Sequence, residues 1–302
     1  MNYRKLGATG LTVSEIGLGC NRLGEDDQSD AHWIELVRTA ADLGVDIFDT
    51  SEIYQKGGSE EVLGRALGNR NDICIASKGM PRDGEGNKDF STAGLIASAE
   101  SSLRRLCRDC IDVYQLHSPN REELERFDWA DGLSRLKEQG KIRFGAMAVN
   151  NTDDGIWLVE QNLVDALQIT YNIFDTSADQ HLFDLATECG VALLCRLPMA
   201  QGILTGKFSP GQQIPSGHRA LKAGDRRDER IEKAENLRLI GSAYPGGMAR
   251  MALHFSLQPS AISCIIPGAR TLEQVRDNVA ASDARGLPSD IREQIEQVRG
   301  QW

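Results

Sequence analysis

A chain of 302 residues with 40% hydrophobic and 26% charged residues has the make-up of an ordinary globular protein and can bury a sizeable core. Its formal net charge of −10 argues against nucleic acid or an anionic membrane as the main partner. No apolar run approaches the roughly 20 residues that a bilayer span requires.

The opening MNYRKLGATGLTV lacks the basic-then-apolar layout of a secretory signal, so a cytoplasmic location is expected. The seven cysteines are scattered, several within apolar runs such as Ile73–Ala76 and Val191–Cys195, and read as reduced thiols rather than a disulfide framework. Cys107 and Cys110 form a C-x-x-C, but no second pair follows at zinc-site spacing, so no metal site is expected. The pair reads as a connector between a helix and a strand.

In chain order, a hairpin comes first, with Tyr3–Leu6 and Thr12–Ser14 flanking the turn Gly7-Ala8-Thr9-Gly10. Short apolar strands then alternate with helical patterns. The strands are predicted at Ile16–Leu18, Val45–Asp49, Ile73–Ser77, Asp112–Leu116, Ile142–Val149, Ala166–Ile169, Val191–Cys195 and Ile262–Ile266. The helices are predicted at 30–43, 59–68, 92–107, 130–139, 153–162, 180–188, 246–257 and 271–281, with an extra one at 228–240. Eight strands alternating with eight helices suit a closed (β/α)8 barrel of α/β class, while periodicity alone also allows a doubly wound open sheet. No Pro/Ser-rich linker interrupts the chain, so one domain over 1–302 is expected. Residues 205–230, rich in Gly, Pro and charge, form a long loop that is either functional or a tolerated insertion.

In a barrel, chemistry gathers where strands end at the carboxyl face. Those ends carry Asp49, Lys78, His117, Asn150 and Gln168, and Tyr54 follows the first of them in a loop. Each alone reads as a cap, a rim charge or a hydrogen-bonded core residue. Together they suggest one polar mouth.

The stretch Gly44–Leu67 (GVDIFDTSEIYQKGGSEEVLGRAL) resembles the aldo-keto reductase signature, in which an Asp-Thr pair precedes a Tyr and a Ser-Glu-x-x-Leu-Gly helix. In the family's order follow ASKG at Ala76–Gly79, IDVYQLHSPN at Ile111–Asn120, GKIRFGAMAVN at Gly140–Asn150 and LQITYNIFD at Leu167–Asp175. RLPMAQGILTGKF at Arg196–Phe208 and IPGARTLEQVRDN at Ile266–Asn278 complete the set. The similarity is to the bacterial type with a short C-terminal region, and it reaches from the hairpin to about residue 281.

The resemblance implies a catalytic tetrad of Asp49, Tyr54, Lys78 and His117, with Tyr54 as proton donor. That assignment is chemically sensible. A free phenol titrates near 10, and a neighbouring ammonium favours its ionised form and stabilises an oxyanion developing on a carbonyl. His117 would be a second hydrogen-bond donor or an orienting group. No G-x-G-x-x-G follows the first strand, so a Rossmann site is excluded. The resemblance implies instead an extended NADP(H), with NAD(H) possible, lying across the barrel mouth.

On that similarity, Asn150 and Gln168 would hydrogen-bond the carboxamide, and Arg196 would take a stacking position. Gly202, Leu204, Gly206 and Lys207 would wrap the pyrophosphate, and Gly268, Arg270, Gln274 and Asn278 would meet the adenosine. Gly19, Cys20, Asn21, Asp49, Leu197, Pro198, Met199, Gln201 and Ile266 would also bind the cofactor. The chain departs from the family where the carboxamide-binding serine is absent from Gly145–Asn150. It departs again where Gly268-Ala269 replaces a Lys-Ser, leaving Arg270 as the obvious cation for a 2′-phosphate. The expected activity is reduction of a small aldehyde, ketone or aldose. The same residues could serve an NAD(P)-dependent sugar or alcohol dehydrogenase, or a cofactor-binding regulatory subunit with little turnover. Specificity is expected from Asn21–Asp26, Met80–Phe90, Ser118–Trp129 and 205–230.

Overall fold

In the computed structural model of the chain, residues 1–178, 181–283 and 285–302 are described, apart from the side chains at 219, 222, 223 and 225. An antiparallel hairpin opens the fold, β1 (Tyr3–Lys5) and β2 (Thr12–Ser14). Eight strands follow: β3 (Leu18–Gly19), β4 (Ile47–Asp49), β5 (Cys74–Gly79), β6 (Ile111–His117), β7 (Ile142–Ala148), β8 (Ala166–Thr170), β9 (Ala192–Arg196) and β10 (Ile262–Ile265). They pair in parallel in sequence order, and bridges Ile16–Ile265 and Gly19–Gly268 join the first to the last. The sheet is closed, and the open-sheet alternative falls.

Helices cover its outside: α1 (Asp30–Asp42), α2 (Gly58–Leu67), α3 (Thr92–Leu106), α4 (Arg121–Arg126), α5 (Trp129–Glu138), α6 (Thr152–Glu160) and α7 (Leu182–Cys189). After β9 come α8 (Arg227–Asn236), α9 (Arg238–Ala243), α10 (Gly247–Leu257), α11 (Leu272–Val279) and α12 (Ser289–Arg299). Side-chain oxygens start several of them, as at Ser29, Ser91, Asn151 and Thr271, each accepting from an amide of the first turn. Gln180, the first residue of the helix predicted at 180–188, lies outside the described residues.

Successive strand residues face opposite sides of a sheet, and two apolar clusters record that alternation. Ile47, Cys74, Ala76, Val113, Ala146, Ala166, Ala192, Leu194, Cys264 and Ile266 fill the barrel, joined by Leu6 and Val13 of the hairpin. Phe48, Ile75, Tyr114, Leu116, Met147, Leu167 and Leu193 point the other way, into the layer shared with the helices. The interior is narrow and Ala-rich, and the hairpin closes its amino-terminal end.

The loop expected at 205–230 is shorter than predicted. Kinked 3-10 segments at Ala200–Thr205 and Arg219–Arg226 bracket it, and α8 begins at Arg227. The helix predicted at 228–240 is two helices, α8 and α9, meeting at Leu237. Helices α4 and α12 lie outside the predicted set.

Candidate active site

The interior face that is apolar near the hairpin becomes polar toward the carboxyl end. Two residues beyond Ile47 stands Asp49, two beyond Ala76 stands Lys78, and two and four beyond Val113 stand Gln115 and His117. Gln168 follows Ala166 and Arg196 follows Leu194 by the same step. Alternation alone therefore brings six polar side chains to one mouth.

Lys78 is the centre of this group and is 1% exposed. Its ammonium donates to both Asp49 oxygens at 2.7 Å and to the Thr50 carbonyl at 2.8 Å. Asp49 Oδ1 also accepts from Gln168 Nε2 at 2.7 Å and from Gln115 Nε2 at 3.2 Å. Desolvating two charges is repaid only when the pair is close and its remaining lone pairs are bonded, and here both conditions are met. Burial works against the ammonium, but attraction from Asp49, and behind it Tyr54, raises the Lys78 pKa.

Tyr54 sits beside this pair, its ring centre 5.3 Å from Lys78 Nζ. The backbone after it is left-handed at Gln55 (φ 49°), Lys56 (φ 54°) and Gly57 (φ 97°). L-residues pay of order 1–2 kcal/mol each in that region, so this turn is held by its surroundings. Gly57 has a further reason to lack a side chain, because a Cβ there would lie 2.6 Å from Arg105 Cδ. Arg105 in turn reaches the fully buried Glu60 at 2.6 Å, and Glu60 accepts from Ser77 on β5 at 2.5 Å. Thus the turn carrying Tyr54 is fastened to the strand carrying Lys78.

The His117 ring meets Tyr54 edge to face, with centres 5.8 Å apart and planes at 88°. Its Nδ1 lies 2.8 Å from Ser51 Oγ. Burial first, then Lys78, Arg196 and Lys88, push its pKa down to about 3, so the ring is neutral at physiological pH. Arg196 bonds to the Val149 carbonyl at 2.9 Å, Thr170 Oγ1 at 3.2 Å and Asn150 Oδ1 at 3.4 Å. None of these is a carboxylate, and burial lowers its pKa.

The remaining rim residues follow β3, β9 and β10. Leu197, Ala200, Gln201, Gly202 and Gly206 all have positive φ, folding the segment after β9 into tight turns, with Pro198 and Leu204 buried and Met199 partly so. Lys207 lies on this segment, and burial lowers its pKa. A Cβ on Gly202 would lie 3.7 Å from Lys207 Nζ and 3.4 Å from His218. Cys20 is buried and its amide donates to the Asp49 carbonyl at 2.8 Å, while Asn21 Oδ1 would lie 3.4 Å from a Cβ on Gly268. Ile266 belongs to the barrel filling. Gln274 Oε1 accepts from the Arg270 amide at 2.8 Å and Asn278 Nδ2 donates to the Gly268 carbonyl at 3.3 Å, so both side chains hold this loop. Arg270 is ion-paired with Asp27, and Arg22 with Glu25 at 2.5 Å.

These residues fit a dinucleotide. Four cations, Arg22, Arg196, Lys207 and Arg270, stand on the β3, β9 and β10 sector of the mouth of a chain that is acidic as a whole. Arg22 Nε and Arg270 Nε are buried without a hydrogen-bond partner, as is Gln201 Oε1. Sequence reading missed Gln115, whose only signal is a polar residue inside a buried strand, and Ser51, which reads as part of a turn.

The closed barrel thus carries a buried Asp–Lys pair, a Tyr and a neutral His at its mouth. The profile of the Aldo/keto reductase family matches residues 15–299, and the chain belongs to that family of nicotinamide-dependent oxidoreductases. It is 30% identical to an uncharacterized oxidoreductase of Bacillus subtilis (strain 168), over 96% of this chain and 94% of that one. It is 28% identical to the NADH-specific methylglyoxal reductase of Escherichia coli (strain K12), covering 91% and 92%. The holo form of an aldo-keto reductase from Bacillus halodurans superposes with a TM-score of 0.84 at 27% identity, covering 99% of this chain and 96% of that one. Among the described residues no helix is long and apolar enough to cross a membrane.

Proposed function

We propose that this protein reduces the carbonyl group of a small aldehyde, ketone or aldose, with NADPH as the preferred reductant. The observation that carries the reading is the Lys78 ammonium, neutralised by Asp49 and lying 5.3 Å from the Tyr54 ring. When bound, the reduced dinucleotide supplies a hydride to the carbonyl carbon. Tyr54 delivers the proton to the carbonyl oxygen. Lys78 stabilises the negative charge that develops at that oxygen and on the phenol that gives up its proton. Asp49 keeps Lys78 charged and in place, while Gln115 and Gln168 keep Asp49 in place. Preorganised charge of this kind needs no rearrangement when the transition state forms.

Arg196, the Leu197–Lys207 segment and the Gly268–Arg270 turn would hold the dinucleotide. Arg270 would be the charge partner of a 2′-phosphate, taking it in exchange for Asp27. The Escherichia coli relative is named for NADH, so the nucleotide is the decisive variable. The test is a steady-state screen of NADPH and NADH oxidation against aldehydes, ketones and aldoses. Turnover of at least one carbonyl class, faster with NADPH, supports the reading. Faster turnover with NADH overturns the NADPH half, and no turnover of any carbonyl overturns the whole.

A further inference from the structure

Arg196 stands apart from the other charges of the mouth. Strand alternation turns its side chain inward beside Thr170, its partner in the β8–β9 register and two residues beyond Gln168 on the same face. From there the guanidinium crosses β8, bonding Thr170 Oγ1 at 3.2 Å, and reaches the Val149 carbonyl at 2.9 Å and Asn150 Oδ1 at 3.4 Å just beyond β7. It therefore lies across the carboxyl ends of β7, β8 and β9. These bonds to neutral oxygens orient the charge without cancelling it. Among the described residues no carboxylate pairs with Arg196: Asp49 is held by Lys78, and Asp175 accepts from Ser177 at 2.9 Å. The β4–β6 half of the mouth is taken by Tyr54, Lys78 and His117. On β7, between the two halves, the residue in register with His117 is Ala148, a single methyl.

A carbonyl whose oxygen meets Tyr54 must hold its carbon within about 3–3.5 Å of the hydride donor. The phosphates of a dinucleotide belong with Arg22, Lys207 and Arg270, so the β7–β9 half, over Ala148 and against Arg196, is left for the nicotinamide. We propose that Arg196 makes this site select the reduced over the oxidised nucleotide. The proposal rests on the dinucleotide placed at the mouth under the carbonyl-reductase reading, and adds to it a discrimination by charge. A dihydronicotinamide ring is neutral. When a hydride, one proton with two electrons, passes from it to the carbonyl carbon, the C=O π bond breaks, the oxygen takes the Tyr54 proton and the ring becomes a cation. A guanidinium keeps its charge at neutral pH and stacks on flat neutral rings, but it repels a cationic one. Two unit charges about 4 Å apart repel enough for roughly a 5-fold preference even in bulk water, and for more where both are half-buried. Arg196 thus favours entry of the reduced nucleotide and release of the oxidised one.

The test is equilibrium titration of NADPH and NADP+, read by quenching of protein fluorescence, with wild type, Arg196→Met and Arg196→Lys. Wild type should bind NADPH the tighter. The ratio Kd(NADP+)/Kd(NADPH) should fall by roughly 5- to 50-fold in Arg196→Met and stay within about threefold of wild type in Arg196→Lys, which keeps the charge. An Arg196 that only braces the ends of β7 and β8 would weaken both nucleotides alike. An unchanged ratio in Arg196→Met therefore overturns the proposal, as does a wild type that binds NADP+ the tighter. Should Arg196→Met fail to fold, Arg196→Gln keeps a donor for the Val149 carbonyl and is judged by the same ratio. NADH and NAD+ should show the same change, because the discrimination sits at the nicotinamide, so the result does not depend on which nucleotide the protein prefers. The titrations need no carbonyl. A chain that binds nucleotide but reduces nothing overturns the reductase reading, while the ratio still decides for or against Arg196. A chain that binds neither nucleotide overturns both.

Discussion

The two sides of the barrel mouth treat charge in opposite ways. On the β4–β6 side, every charge is answered. Lys78 has three acceptors, and Asp49 accepts from Lys78, Gln115 and Gln168. On the β9, β10 and β3 side, Arg196 bonds only neutral groups, and Arg22 and Arg270, although paired with Glu25 and Asp27, each keep a buried Nε without a partner. The first side is a finished device, fixed before anything binds. The second keeps donors that an anion could take. A catalytic centre must be preorganised, whereas a nucleotide site gains affinity from bonds that it lacks when empty.

The largest expected effect is on the finished side. Tyr54→Phe removes the proposed proton donor without touching the Asp49–Lys78 pair, and general acids contribute about 10²–10⁴-fold. Single-turnover reduction should fall by that factor while dinucleotide affinity, read by fluorescence quenching, stays within about threefold. A variant with near wild-type kcat would remove Tyr54 from the mechanism.

The same side should dominate stability. Asp49→Ala leaves Lys78 charged, buried and unanswered, a change that costs about 3–5 kcal/mol in other proteins. Urea unfolding should show it, and adding Lys78→Met should restore much of the loss. Arg270→Ala, on the open side, should shift stability by only about 0.5 kcal/mol. Its effect belongs to binding. A charge-assisted contact is worth about 1.5–3 kcal/mol, so NADPH should weaken roughly 10- to 100-fold while NADH is nearly unaffected. Equal losses for both nucleotides would place Arg270 on the shared adenosine or on the loop structure.

Acid sharpens the contrast from the His117 side. The folded pKa of about 3 lies below the unfolded value near 6.5, so the folded state needs a neutral ring. The stability this contributes is full above pH 6.5 and is lost as pH falls toward 3, reaching on the order of 2 kcal/mol by pH 5. Burial lowers the His254 pKa as well, which adds to the loss in the same direction. His117→Gln should therefore lose less stability than wild type between pH 7.5 and pH 5, by that amount. Equal losses would show that His117 does not carry the acid sensitivity.

The finished side was the more legible of the two. Asp49, Lys78 and His117 could be read because short apolar runs end on them and strand alternation then fixes where they point. Gln115 obeys the same alternation but sits mid-strand, where a polar residue signals nothing until its partner is known. The left-handed turn at Gln55 and Lys56 was hidden because neither residue advertises positive φ. Helix α12 did carry a signal, Ile291, Ile295 and Val298 at helical spacing, and α4 carried the Asn120–Glu123 capping box. The open side was hardest to read. The positions of Arg22, Lys207 and Arg270 are in the sequence, but only tertiary structure gathers them on one sector and joins Arg270 to Asp27 of another loop.

That pair supplies the smallest effect and the finest test of the comparison. Asp27 and Arg270 are both more than a third exposed, and such surface pairs contribute about 0–1 kcal/mol. Asp27→Asn should leave unfolding almost unchanged. Its consequence should appear in the nucleotide, because a 2′-phosphate taking Arg270 must first displace Asp27 and then lie beside its negative charge. Removing that charge should tighten NADPH by roughly two- to fivefold, the equivalent of 0.4–1 kcal/mol, and leave NADH where it was. The gain should shrink as salt is raised, since both charges are exposed to screening. In the double variant Asp27→Asn with Arg270→Ala the gain should vanish, because the carboxylate acts through the guanidinium that it occupies. A gain that survives without Arg270 would mean that Asp27 repels the phosphate directly, and the open side would then discriminate by repulsion rather than by competition for one cation.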